Sequence, residues 1–334
     1  MIARFAIIFC LVFAAAPAFA QDERAGAAYA ALMDGRHEEA FREAQKLSEA
    51  GNADGDAILA YIYENGLGVE RDLQHAVDLY TKAARAGQPD AQFALGELAM
   101  FAEGVERNAE TAAGWYKLAA RQGHARAKLR LGVMHAEGDG VEKDKARAIE
   151  LFREAAEAGE PEAARNLAIA YLSGDGVARD YRTAADWFEK AADAGDAVAS
   201  YNLGLLLQSG SLGPPDIDKA AARMREAAEA GFAPAMVGLG LLIHDGAEAE
   251  GAPADWFERA AKAGDSQGMF LYAVALAEGD GRDVDIDAAI AQLDALIASP
   301  APVDPALMQQ AKALRKDLER RKGGGLFGFG RKEN

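Results

Sequence analysis

Three kinds of residue in this chain have types and spacings that could do chemistry. Gly66 and Gly68, Gly138 and Gly140, and Gly174 and Gly176 form the G-x-G steps of phosphate-cradling loops. Asp283-Val-Asp285-Ile-Asp287 has the spacing of the first half of a calcium loop, and His37, His75, His124, His135 and His244 are potential ligands or bases. Each fails on its context. The glycine pairs follow helices and not strands, and lack both the third glycine and the Lys-Ser/Thr of a phosphate loop, so they read as helix caps. The sixth position of the acidic run is Ala288 where a calcium loop needs glycine, and a helix beginning there explains the aspartates through its dipole. The histidines never pair at ligand spacing, and His135 takes a packed position in its repeat. No G-x-S-x-G, S-x-x-K or H-E-x-x-H occurs. The reading is of a protein with no catalytic residue, no metal site and no cofactor.

The elements that would position any site are legible from a ladder of glycines, Gly51, Gly87, Gly123, Gly159, Gly195, Gly231 and Gly264, each but Gly123 directly preceded by alanine, with five intervals of 36 residues and a last one of 33. A fixed period of this size marks a stack of helical hairpins, each touching only its neighbours. In the copy from Gly159 to Ala194, Pro161 sits where a helix begins without losing a hydrogen bond. Ala164, Leu167, Ala168 and Tyr171 form one apolar stripe at helical spacing, and Gly174-Asp175-Gly176 ends it. Asp180 then caps a second helix carrying Ala184, Trp187, Phe188, Ala191 and Ala192.

Other copies repeat the choices. The large residue of the first helix recurs as Leu59, Leu95, Leu131, Leu167, Leu203, Leu239 and Tyr272, always followed by alanine or glycine. A repeated small residue in mid-helix costs propensity, so close packing is expected at Gly96, Gly132, Gly204 and Gly240. The second helix carries Tyr80, Tyr116, Phe152, Phe188, Met224 and Phe257, and the capping residue recurs as Asp72, Asn108, Asp144, Asp180 and Asp216.

This pattern, A-x-x-x-L-[AG]-x-x-Y, G-x-G-V, D-x-x-x-A-x-x-W-[FY]-x-x-A-A-x-x-G, resembles the Sel-1-like repeat, a longer-looped relative of the tetratricopeptide repeat. The resemblance implies an all-α fold, a right-handed α-α superhelix. It divides the chain into a signal peptide at 1–20, an N-terminal hairpin at 21–50, seven repeats at 51–299, a C-terminal capping helix at 300–322 and a Gly-rich basic tail at 323–334. Departures fall at Ala102 to Gly104, at Gly210-Ser-Leu-Gly-Pro-Pro, and around Asp245 to Pro253, where three residues are dropped.

In related repeats the fifth and ninth positions of the first helix face a concave groove. By resemblance these are Ala57, Phe93, Leu129, Arg165, Tyr201, Val237 and Phe270, then Tyr61, Glu97, Val133, Ile169, Leu205, Leu241 and Val274. Tyr61, Phe93, Leu129, Arg165, Tyr201 and Phe270 are the candidate partner-binding residues. A face this apolar has two readings: it holds an apolar or amphipathic peptide, or the superhelix is tight and buries these side chains against one another.

The ends and the charge place the protein in a compartment. Arg4, the apolar run Phe5 to Ala16, and Ala18-Phe19-Ala20 before Gln21 form a secretion signal cleaved between Ala20 and Gln21. The only cysteine, Cys10, lies inside it, so the mature chain has no thiol, and no Asn-x-Ser/Thr site occurs. Both favour a bacterial periplasm, with secretion as the alternative. No membrane span is expected in the mature chain. With 36 basic and 53 acidic residues the formal net charge is −17. That excludes nucleic acid as a partner and favours solubility or basic partners. Basic residues gather at the end, eight against three acidic ones from Lys312 to Asn334, where Leu326, Phe327 and Phe329 form a candidate docking motif.

Some Sel-1-like proteins are disulfide-rich and linked to penicillin binding or hydrolysis, but the cysteines that would carry this over are missing. The expected function is therefore a monomeric, non-enzymatic periplasmic scaffold, adaptor or regulator that binds another envelope protein. The alternative is an envelope enzyme or accessory acting on peptidoglycan or β-lactams.

Overall fold

The computed structural model describes residues 23–101 and 106–324, and every described element is a helix or a connection between helices. The expected signal segment with Ala20 and Gln21, residues 102–105, and the expected docking motif Leu326, Phe327 and Phe329 lie outside the described residues. The chain divides between Ala178 and Arg179 into two compact units.

The first unit contains α1 (Glu23–Met33), α2 (His37–Glu49), α3 (Ala53–Asn65), α4 (Leu73–Arg85), α5 (Pro89–Phe101), α6 (Ala109–Arg121), α7 (Ala125–Glu137), α8 (Lys145–Glu157) and α9 (Pro161–Ser173). The second contains α10 (Tyr181–Asp193), α11 (Ala197–Gln208), α12 (Ile217–Glu229), α13 (Ala233–His244), α14 (Pro253–Lys262), α15 (Ser266–Glu278), α16 (Ile286–Ile297) and α17 (Pro305–Gly324). Within each unit every helix packs on the next in sequence. Both are all-α solenoids of paired helices, as the repeat implies.

The local chemistry of each hairpin follows from its sequence. The side chains of Asp72, Asn108, Asp144, Asp180 and Asp216 accept backbone N–H bonds at the starts of α4, α6, α8, α10 and α12, satisfying donors that a helix start leaves open. Gly174 closes α9 with a left-handed φ of 78° and returns its N–H to the Ala170 carbonyl. Asp285 does the same capping work for α16, accepting from the Ala288 N–H. The helix thus starts two residues before Ala288, and the middle aspartate of the calcium-like run is occupied as a cap.

The small residue of the first helix is where hairpins close. A Cβ added to Gly96 would lie 2.4 Å from the Tyr116 ring, and one on Gly240 would lie 2.5 Å from the Phe257 ring. Glycine here lets the aromatic of the second helix press onto the backbone of the first, and this contact outweighs its helix-propensity cost of about 1 kcal/mol.

At the C-terminal end, Leu293 and Leu296 of α16 are fully buried against Ala311 and Leu318 of α17. The longer helix covers apolar side chains that a further repeat would otherwise cover.

Candidate functional site

The face built by the fifth and ninth positions is uneven. In the fifth column, Ala57 and Phe93 are fully buried, and Leu129 and Val237 nearly so, while Arg165, Tyr201 and Phe270 are half-buried. In the ninth column Tyr61 is buried, Glu97, Val133, Leu241 and Val274 are half-buried, and Ile169 and Leu205 stand 40% and 39% exposed. Phe93 is covered because the His124 ring stacks on it at 4.7 Å, brought there by the start of α7. Tyr201 turns its edge to Phe232 at 5.4 Å. Arg165 keeps its guanidinium 3.7 Å from Glu162, one turn away on α9. Of the six candidate residues, Tyr61, Phe93 and Leu129 are buried within the first unit, and Arg165 of that unit and Tyr201 and Phe270 of the second are half-buried. The most exposed apolar side chains of the two columns are the ninth-position Ile169 and Leu205, one in each unit.

A cavity of about 370 Å³ opens among α7, α8 and α9 in the first unit. Ala148, Ile149 and Phe152 of α8 form its floor. Val133 of α7 and Ile169 of α9, both ninth-position residues, form its walls with Asn166. Glu137, Lys145, Glu162 and Asp175 stand at the same cavity, with the Lys145 ammonium held 2.5 Å from Asp175. Neither the Asn166 amide nor the Glu137 carboxylate has a hydrogen-bond or ion-pair partner among the described residues.

One period earlier, between α5, α6 and α7, an ion pair bridges the interval. Arg130 of α7 sets its Nε 3.0 Å from the Glu97 Oε1, and the Tyr116 hydroxyl donates to the same oxygen at 2.6 Å. The guanidinium also lies 6.0 Å from the centre of the Phe101 ring. Burial, and then the Glu97 charge, push the Tyr116 hydroxyl far above its ordinary value, so it is a permanent donor. Burial pulls Arg130 down, but the Glu97 charge and hydrogen bond outweigh it and leave the guanidinium more firmly protonated. Between α3 and α5 the corresponding space holds Tyr61 and Ala94, with the Tyr80 hydroxyl donating 2.8 Å to Glu64. In the second unit, between α11 and α13, Met224 fills it so closely that a Cβ on Gly238 would lie 2.8 Å from the sulfur.

Sequence reasoning placed Val133 and Ile169 on the face but missed Asn166, Phe152 and the acidic rim. A signal existed: reading the repeat column by column, Glu97 becomes Val133 and Arg130 becomes Asn166, so an ion pair vanishes and nothing larger replaces it. The histidines have local roles. His135 meets the Glu142 carbonyl at 3.1 Å through its Nδ1, and His124 accepts the Ala127 N–H as a helix cap. No group of three or more His, Cys, Asp or Glu residues that could hold a metal ion occurs among the described residues. None of the described helices is long and apolar enough to cross a membrane.

The Sel1 repeat model matches seven consecutive segments, 53–88, 89–124, 125–160, 161–196, 197–232, 233–265 and 266–291. Among solved structures, a Sel1 repeat protein from Oxalobacter formigenes is similar over 72% of this chain and 97% of its own, at 30% identity and a TM-score of 0.64. A protective antigen of uropathogenic Escherichia coli shares the fold over 89% of this chain and 84% of its own, at 21% identity and a TM-score of 0.58. No curated protein matches the chain.

Proposed function

The chain belongs to the Sel1 repeat family, and on that premise we propose that it is a non-enzymatic scaffold of the bacterial envelope that binds another protein through ninth-position side chains of its first helices. Folds of this type serve as protein–protein interaction scaffolds, and the described residues include no group of three or more His, Cys, Asp or Glu that could hold a metal ion. The observation that carries the reading is Ile169 in the first unit, exposed where a solvated helix face would be polar and beside an apolar-lined cavity; Leu205 is exposed at the same repeat position within the second unit. Apolar side chains left open next to unpartnered polar groups characterise surfaces that await a partner. The signal-like N-terminus, with Arg4, the apolar run and Ala18-Phe19-Ala20, supports a periplasmic location, and the thiol-free mature chain suits it. The mature protein acts as a monomer.

Site-specific photo-crosslinking in the native envelope tests this. A crosslinker at Ile169 or Leu205 is expected to give discrete protein adducts, and Tyr201→Ala and Phe270→Ala are expected to weaken those formed at Leu205. Crosslinkers at exposed Glu157 and Asp193 on second helices should give none. Equal adducts from all four positions, or none from any, would overturn the reading.

A further inference from the structure

We propose that the cavity among α7, α8 and α9 is a socket for one arginine side chain, presented by a basic, extended segment of the partner protein. The proposal rests on the scaffold reading above and names the chemistry that this part of the face selects.

The repeat supplies its own precedent. One period earlier the equivalent space is occupied by the Arg130 side chain, with its guanidinium on Glu97 and near the Phe101 ring. In the socket the residues at these positions are Asn166, Val133 and Glu137. The resident cation is gone, and Glu137 brings a carboxylate where Phe101 had none. A second exchange points the same way: Arg126 of α7 is matched by Glu162 of α9, so another basic residue has become acidic at the cavity. The floor stays apolar through Ile149, Phe152 and Ala148, which suits the aliphatic stem of a long side chain.

The available polar groups complete the match. The Asn166 carbonyl oxygen and the Glu137 carboxylate are acceptors with no partner among the described residues. Glu162 has Arg165 at 3.7 Å and also feels the charge of Arg130, so its carboxylate is only loosely paired. Lys145 does not fill the space, because Asp175 holds its ammonium at the rim. A guanidinium has five donors in a planar fork and meets several acceptors at once, which an ammonium does less well. The chain's net charge of −17 draws basic segments toward the cavity.

The test uses the mature full-length protein and a seven-residue peptide, acetyl-Gly-Ala-Ser-Arg-Ser-Ala-Gly-amide, with analogues carrying citrulline, lysine or leucine in place of the arginine. Methyl NMR shifts are followed during titration. The arginine peptide is expected to move the Ile149, Ile169 and Val133 signals and to bind at least tenfold more tightly than the citrulline and leucine analogues. The double variant Val133→Glu with Asn166→Arg, which recreates the pair of the preceding interval, should abolish the Ile149 and Ile169 shifts. Glu137→Gln with Glu162→Gln, a change of two rim groups that leaves the core intact, should cut the preference for arginine over citrulline to threefold or less. Tighter binding of the leucine peptide, shifts at other methyls, or undiminished binding by the double variant would overturn the socket. Envelope adducts at Ile169 that survive in the double variant would sink the socket while leaving the scaffold reading standing. Arginine-selective shifts without any envelope adduct would uphold the socket and sink that reading.

Discussion

Two neighbouring intervals of the first unit share one backbone plan and differ in the side chains that line them. Above Tyr116, Arg130 closes the gap between α5 and α7 by pairing with Glu97. Above Phe152, the gap between α7 and α9 has Val133 and Asn166 at the same places and stays open. A solenoid repeats its hairpins by the contacts within them, and the residues between successive first helices are left free to vary. The repeat thus separates two tasks. Leucine, glycine, cap and aromatic hold the hairpin, while side chains between successive first helices set how an interval is filled: Glu97, Met100, Arg130 and Met134 in one, Val133, Ala136, Asn166 and Ala170 in the next.

The largest effect is expected where the bridged interval is broken. Arg130→Ala leaves Glu97, about one-sixth exposed, with only the Tyr116 hydroxyl as partner. The loss should be about 2 kcal/mol, below the range for a fully buried pair because both side chains retain some water. It should appear as faster amide exchange in α5, α6 and α7 and leave the second unit unchanged, since repeat stability is a sum of local terms. Uniform loosening of both units would show that the intervals are not energetically separate.

The glycine contacts sharpen the comparison next. A Cβ at position 96 meets Tyr116 at 2.4 Å, and that ring is tethered through its hydroxyl to Glu97. A Cβ at position 132 meets Phe152 at 2.7 Å, and that ring borders the cavity with no tether. Overpacking should therefore cost about 1.5–2 kcal/mol in Gly96→Ala, where the ring is fixed, and under about 1 kcal/mol in Gly132→Ala, where it can swing into open space. Urea unfolding of both variants gives the ratio. Equal costs would mean that the cavity does not relieve strain.

Much of the fold could be read beforehand for a physical reason. The ladder glycines, the Asx caps at 72, 108, 144, 180 and 216, and the small residue after each leucine all act within one hairpin, where sequence spacing is also spatial spacing. The candidate face was less legible because it depends on packing between repeats. Phe93 was expected on a groove by its position in α5, yet the ring of His124, 31 residues later, covers it. Tyr61 is enclosed in the same way by the core of the first hairpins. Arg165 and Phe270 give no such sign in their own repeats, and their half-burial follows from neighbours that no single-repeat pattern specifies.

A third interval tests whether an acidic filler has a pH signature. Burial raises the Glu64 carboxyl above its ordinary range, and the Tyr80 hydrogen bond offsets this only in part. The folded protein therefore favours the protonated form. The stability this contributes is full below the ordinary carboxylate pKa and is lost as pH rises through the raised one. Glu64→Gln keeps an acceptor for Tyr80 and removes the charge. Its Tm should exceed that of the parent at pH 7, and the gap should shrink toward pH 4. A gap that is constant or that widens in acid would show that Glu64 is stabilised as the carboxylate.

The smallest expected effect sits in the open interval. Asn166→Ala removes an amide that makes no hydrogen bond among the described residues, from a half-buried place facing the cavity. Its cost should fall within about 0.5 kcal/mol, the range of substitutions remote from packing and hydrogen-bond networks. Arg130, at the same step of the preceding repeat, should cost several times more, and that ratio is the energetic form of the comparison. A near-neutral Asn166 would mean that the fold does not require this side chain, leaving its amide free to meet a partner. A loss approaching that of Arg130→Ala would mean that the open interval is held by this residue and is no vacancy at all.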